Sequence, residues 1–133
     1  MNIETALNIV EGYMPSSEFR VIKNYAEHSE EKQFFIEKVK EIAGIIKAML
    51  DLYGQDGKGE NAIAYLHYFA PSFDTYILEI NRNDPGDAFG LTIPHDSAVE
   101  LGYVNINELK KYSVELDLYF EPKTVGEIRQ AVK

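Results

Sequence analysis

Apolar residues recur at helical spacing through the first fifty positions and at every second position through most of the remainder. This change of period divides the chain into a helical part and a sheet part. Ile3, Ala6, Leu7 and Val10 predict a first helix over 3–12, ended by Gly12. The Met14-Pro15-Ser16-Ser17 break predicts a second start capped by Ser16 or Ser17, with Phe19, Ile22 and Tyr25/Ala26 as its apolar stripe. After His28-Ser29 a third helix is expected to carry Glu30 and Glu31 in its first turn, where they suit the positive end of the helix dipole. Its apolar face, from Phe34 and Phe35 through Val39, Ile42 and Ile45/Ile46, predicts a helix running to about Tyr53.

Beyond it lies Gly54-Gln55-Asp56-Gly57-Lys58-Gly59-Glu60, read as a flexible turn into the sheet. A phosphate-binding loop would need a strand before it and Ser or Thr after Gly-Lys; here a helix precedes and Gly59 follows. Short runs rich in branched and aromatic residues then predict strands over 62–69, 75–80, 88–93, 99–104 and 114–120. Their close spacing favours antiparallel pairing, since parallel neighbours need a crossover of a dozen or more residues. Asn105-Ile106-Asn107-Glu108 and Thr124-Val125-Gly126-Glu127 are capping-box patterns that predict short helices after the fourth strand and at the C-terminus. The expected fold is α+β. N-terminal helices (1–50) pack on a four- to five-stranded, mainly antiparallel sheet (51–133) within one domain spanning 1–133.

At 133 residues the chain fits one domain with a substantial core. It lacks cysteine, which excludes disulfides and thiolate chemistry. Without a signal-like N-terminus or a run long enough to cross a bilayer, a cytoplasmic setting is expected, with no membrane contact. The net charge is −9 and unevenly spread: residues 1–50 contribute −2 and residues 51–133 contribute −7. Such a field repels phosphate, so direct nucleic-acid binding is not expected, whereas a basic protein surface is attracted.

Candidate chemistry is thin. His28, His67 and His95 share no metal-ligand spacing, and no metal, cofactor or catalytic residue is assigned. His67, Glu79 and Asp117 form the one constellation that an enzyme or metal-binding protein would use. In 114–121, Val114, Leu116, Leu118 and Phe120 alternate with Glu115, Asp117, Tyr119 and Glu121. As a strand this run would put three carboxylates and a tyrosine on one face, with Glu79, Glu100 and Tyr103 as candidate additions. These seven residues are the expected partner-binding set, because tyrosine and uncompensated charge favour protein interfaces over coordination.

Four blocks carry a resemblance: Leu52–Gly59, Ala62–Tyr65, Glu100-Leu101-Gly102-Tyr103 with Asn107-Glu108-Leu109, and Asp117–Lys123. Over about 50–130 the chain resembles the domain of unknown function 2958, found in bacteria, phages and conjugative elements. Phe73-Asp74-Thr75-Tyr76 lacks the tryptophan expected there, and the family supplies no catalytic residue to transfer. The resemblance implies a non-enzymatic accessory protein of a phage or mobile element that binds a host protein. An anti-CRISPR or anti-restriction inhibitor presenting an acidic face to a nuclease's basic groove is the sharpest form of that expectation. The alternatives are a small enzyme and a subunit of a larger assembly, with a homodimer among the assemblies considered.

Overall fold

A computed structural model describes residues 1–84 and 86–132. Helices α1 (Ile3–Glu11), α2 (Ser16–His28) and α3 (Lys32–Ala48) come first. The sheet strands β2 (Leu66–Ala70), β3 (Phe73–Ile80), β4 (Asp87–Pro94), β5 (Glu100–Asn105) and β6 (Glu115–Leu116) follow, with α4 (Ile106–Leu109) between β5 and β6. A separate ribbon pairs β1 (Ile63–Ala64) with β7 (Lys123–Thr124), which leads directly into α5 (Val125–Ala131). The expected α+β class with an N-terminal helical region is what forms.

The main sheet is antiparallel throughout, in the order β5-β4-β3-β2-β6. Strands β2 to β5 make a meander. The chain then crosses the helix-covered face through α4, whose Ile106 and Leu109 are buried there, and sets β6 against β2 at the opposite edge. Alternation decides which side chains go where. Leu66, Tyr68, Ile77, Ile80 and Ala88 face α1–α3 and meet Val10, Val39, Ile42 and Ile46 in the larger core. Tyr68 is fully buried and donates its hydroxyl to the carbonyl of Tyr13, so its polar tip is satisfied. On the other face Leu78, Leu91 and Ile93 meet Ala62, Ala64, Val125 and Ile128 in a second, smaller core.

A register shift between Ile77 and Glu79 has a large consequence. The extra residue puts Leu78 and Glu79 side by side on the face away from α1–α3. Gly90 lies opposite, where a Cβ would stand 2.3 Å from the Tyr76 carbonyl oxygen. Only glycine allows the two backbones to approach this closely.

Several boundaries differ from expectation. The third helix ends at Ala48 instead of Tyr53. Arg82 donates to the carbonyls of Ile46, Lys47 and Met49, and Leu50 accepts from Ile80 N–H, drawing the chain out to the sheet. Glu30 and Glu31 precede that helix, with Ser29 Oγ accepting from Glu31 N–H. Ser16 is the first residue of α2 and Pro15 occupies the cap position, without a side-chain cap. The single strand expected over 62–69 divides at Tyr65 into β1 and β2, which join different sheets. Asn105 and Thr124 do cap α4 and α5, and Thr124 with Glu127 closes a full capping box.

Candidate functional site

The acidic row expected over 114–121 does not form. Only Glu115 and Leu116 pair with β2. At Asp117 the chain turns: its Oδ1 accepts from Tyr119 N–H and its carbonyl accepts from Phe120 N–H. An Asx turn of this kind offers the backbone an alternative to the ladder, and it ends the strand. Leu118 consequently stays with the helix-side core, while Phe120 passes to the opposite face and meets Tyr76. Glu115, Tyr119 and Glu121 are exposed, but they follow a bend rather than one strand face.

Glu79 does not join them. It is 6% exposed, and its carboxylate accepts from Tyr53 N–H (3.0 Å) and Gln55 N–H (2.8 Å). Gln55 is buried too; its side chain bonds the carbonyls of Ile63 and Leu78 and the amide of Ile63. The glycine-containing connector is therefore tied to the sheet at two points, not the flexible turn expected. Tyr53 is held at a φ of +67°, in the left-handed region that is costly for a bulky residue. The clamp from Glu79 holds it there and aims its ring at β5.

Strand β5 is where two predicted residues fall together, although alternation puts Glu100 and Tyr103 on opposite faces. It is the outer strand of the sheet, and among the described residues no strand pairs with its outer side. Leu101 is 54% exposed and Tyr103 62% exposed, both on the face away from α1–α3. The Tyr53 hydroxyl meets that of Tyr103 at 2.7 Å, and Phe89 packs edge-on against Tyr103 with centroids 5.5 Å apart. The hydrogen bond to Tyr53 first, then desolvation and the nearby charges, Asp87 and Glu79 among them, raise the Tyr103 hydroxyl above its ordinary pKa. Between these rings, the connector and α5 lies a cavity of about 310 Å³.

On the same face of the sheet lies a second polar group. His67 is 13% exposed; its Nδ1 lies 2.9 Å from Asp117 Oδ2 and its Nε2 2.7 Å from Asp74 Oδ1. Asp74 continues the chain to His95 Nε2 at 2.9 Å. The His67 ring stacks on Tyr76, 4.4 Å apart and nearly parallel. Burial alone would raise the Asp74 pKa, but hydrogen bonds from His95 and His67, with the charges of those rings, bring it below the ordinary carboxylate value. Of the trio His67, Glu79 and Asp117, the fold joins His67 to Asp117 and leaves Glu79 with the connector. Asp74 is not singled out in the sequence, and His95 enters there only as one of three scattered histidines. A two-residue hairpin at Pro71-Ser72 makes Asp74 a diagonal neighbour of His67, the one signal that could have found it. Among the described residues no group of three or more His, Asp or Glu is arranged to hold a metal ion.

The β6 edge is closed by α2. Glu18 accepts from Leu116 N–H at 2.8 Å. Burial first, and then the charges of Glu115 and Asp117, raise its pKa to about 7 despite that hydrogen bond. Set against family models, curated proteins and solved structures, the chain matches none of them.

Proposed function

We propose that this protein works by binding another protein, which adds an extended segment to the outer side of β5. The observation that supports this reading is the bare six-residue edge with Leu101 and Tyr103 exposed on it. Proteins ordinarily blunt such edges with lysine, proline, bulges or a covering element, because an open edge is a template for another strand. β5 (Glu100-Leu101-Gly102-Tyr103-Val104-Asn105) has neither lysine nor proline, and its pairing with β4 runs without a shift. Main-chain hydrogen bonds would supply affinity, and the side chains beside Tyr103 would supply selection.

Charge sets the chemistry of the partner. Asp56, Glu60, Asp87 and Glu100 lie around this edge or its adjoining cavity, with Arg129 as the basic counterpart at the cavity. A segment carrying lysine or arginine meets this field favourably. The reading accords with an accessory protein of a mobile element engaging a host protein with a basic surface, a nuclease or other nucleic-acid-binding protein among them. It moves the expected contact from the 115–121 run to Glu100 and Tyr103.

A displayed library of random linear peptides tests it. Enriched peptides should alternate basic and apolar residues, and on titration should first shift the amides of residues 100–105. Enrichment without basic residues, or shifts confined to the β6 side, would contradict the reading. So would pairing of β5 with a second copy of the chain, seen as a concentration-dependent dimer lost in Tyr103→Lys.

The Asp117–His67–Asp74–His95 chain favours a second reading, acid–base chemistry at His67. It ranks lower because both ring nitrogens already face carboxylates and the ring is covered by Tyr76. The assembly alternative, with free N-terminal helices as the interface, has less support, since α1–α3 build the larger core.

A further inference from the structure

The cavity beside β5 is built as a ligand site in its own right. Its volume of about 310 Å³ stands near the lower end of small-molecule sites, enough for one ring or two fused rings. Tyr53, Leu78, Phe89 and Tyr103 line it, with the Phe89 ring edge-on to that of Tyr103. A mostly apolar, aromatic lining suits a planar ring. Polar groups decide the rest. Gln55 and Glu79 line the cavity but are occupied by the backbone bonds described above. Arg129 is different: its Nε is enclosed and has no hydrogen-bond partner among the described residues, Glu60 Oε1 stands 3.9 Å from it, beyond hydrogen-bond range, and the side chain, 41% exposed, borders the cavity. The exposed part of a guanidinium beside a cavity can donate to an acceptor on a ligand, and a charged donor makes that bond a strong one.

The charge of the ligand follows from the same groups. An anion would meet Arg129 but also the carboxylates of Asp56 and Glu60. A cation would meet those carboxylates but face the charge of the Arg129 guanidinium. An uncharged ring whose edge carries a carbonyl beside an N–H serves both, accepting from Arg129 and donating to Glu60. We propose that this cavity binds a flat, uncharged heteroaromatic or lactam ring of one or two fused rings, held by Arg129 and Glu60 at its polar edge and packed against Phe89 and Tyr103.

The test uses the full chain and four probes: oxindole, N-methyl-oxindole, benzoate and phenyltrimethylammonium. Oxindole should bind saturably and shift the amides of Leu78, Phe89 and Tyr103. Blocking its N–H by methylation should weaken binding about tenfold, as should Arg129→Met, each removing one charge-assisted hydrogen bond. Arg129 is a partly exposed side chain, so its variant should keep the parent circular dichroism and melting profile. Absence of saturable oxindole binding would overturn the proposal. So would tighter binding of benzoate or phenyltrimethylammonium, or oxindole binding unchanged by both methylation and Arg129→Met. None of these outcomes depends on whether a partner strand adds to β5.

Discussion

At one edge of the main sheet the outer side of β5 offers six residues that no other strand pairs among the described residues, while at the other β6 contributes two residues and is held from several directions. Glu18 of α2 holds Leu116 N–H, Asp117 turns the chain away, and its side chain grips His67. At the β5 edge the Tyr103 side chain meets Tyr53 and Phe89, but among the described residues no side chain or strand holds the outer main chain, and the exposed Leu101 and Tyr103 line a cavity instead of a core. One edge is finished within the chain and the other is left open. Strand edges are dangerous when bare, and the proposal that β5 receives a partner segment rests on this difference between the two edges.

The largest expected contrast is in stability. Leu116 is 1% exposed and packed into the helix-side core, so Leu116→Ala should cost about 2–5 kcal/mol in chemical denaturation. Leu101→Ala at the open edge should cost under about 0.5 kcal/mol. Equal losses at the two sites would break the comparison.

Next comes the pH dependence of the closed edge. Glu18 titrates at about 7 in the folded protein, above its ordinary value, so the folded state holds a proton that the unfolded state releases. Its contribution is present in full below the unfolded carboxyl pKa and is lost as pH rises toward 7. Glu18→Gln keeps an acceptor for Leu116 N–H and removes this titration. It should raise stability by about 1–2 kcal/mol above pH 7, allowing for screening of a partly exposed carboxyl, and flatten the profile between about pH 4.5 and 7. Denaturation midpoints across that range would check it.

A smaller effect of opposite sign belongs to Asp74. Its folded pKa is depressed, so its contribution is present above the unfolded value near ~3.9 and is lost as pH falls through the folded one. Asp74→Asn should therefore cost about 0.5–1 kcal/mol at neutral pH and leave less stability to lose in acid, as acid titration followed by circular dichroism would show.

Much of this architecture was legible in the chain. Periodicity located α1–α3 and the meander strands, and the capping patterns at Asn105 and Thr124 located α4 and α5, because each of these signals is local in the chain. What was not legible depended on contacts distant in sequence. Arg82 ends α3 from thirty-odd residues away. Glu79 reads as one more acidic strand residue until the bulge turns it toward the Tyr53 and Gln55 amides. The alternation of 114–121 is regular, yet the Asx turn at Asp117 prevails over it, and the expected acidic face dissolves with it. Glu100 and Tyr103 were read only as additions to that face, since strand order, which makes β5 an edge, has no local signature.

The most direct test pairs charge insertions at the two edges and measures calorimetrically the binding of one basic peptide enriched against the parent protein. The double variant Leu101→Lys with Tyr103→Lys should weaken binding by about a hundredfold while leaving thermal stability near that of the parent. The matching variant Glu115→Lys with Tyr119→Lys should keep binding within about threefold, less than 1 kcal/mol. The reverse pattern, binding lost at the β6 side and retained at β5, would contradict the account.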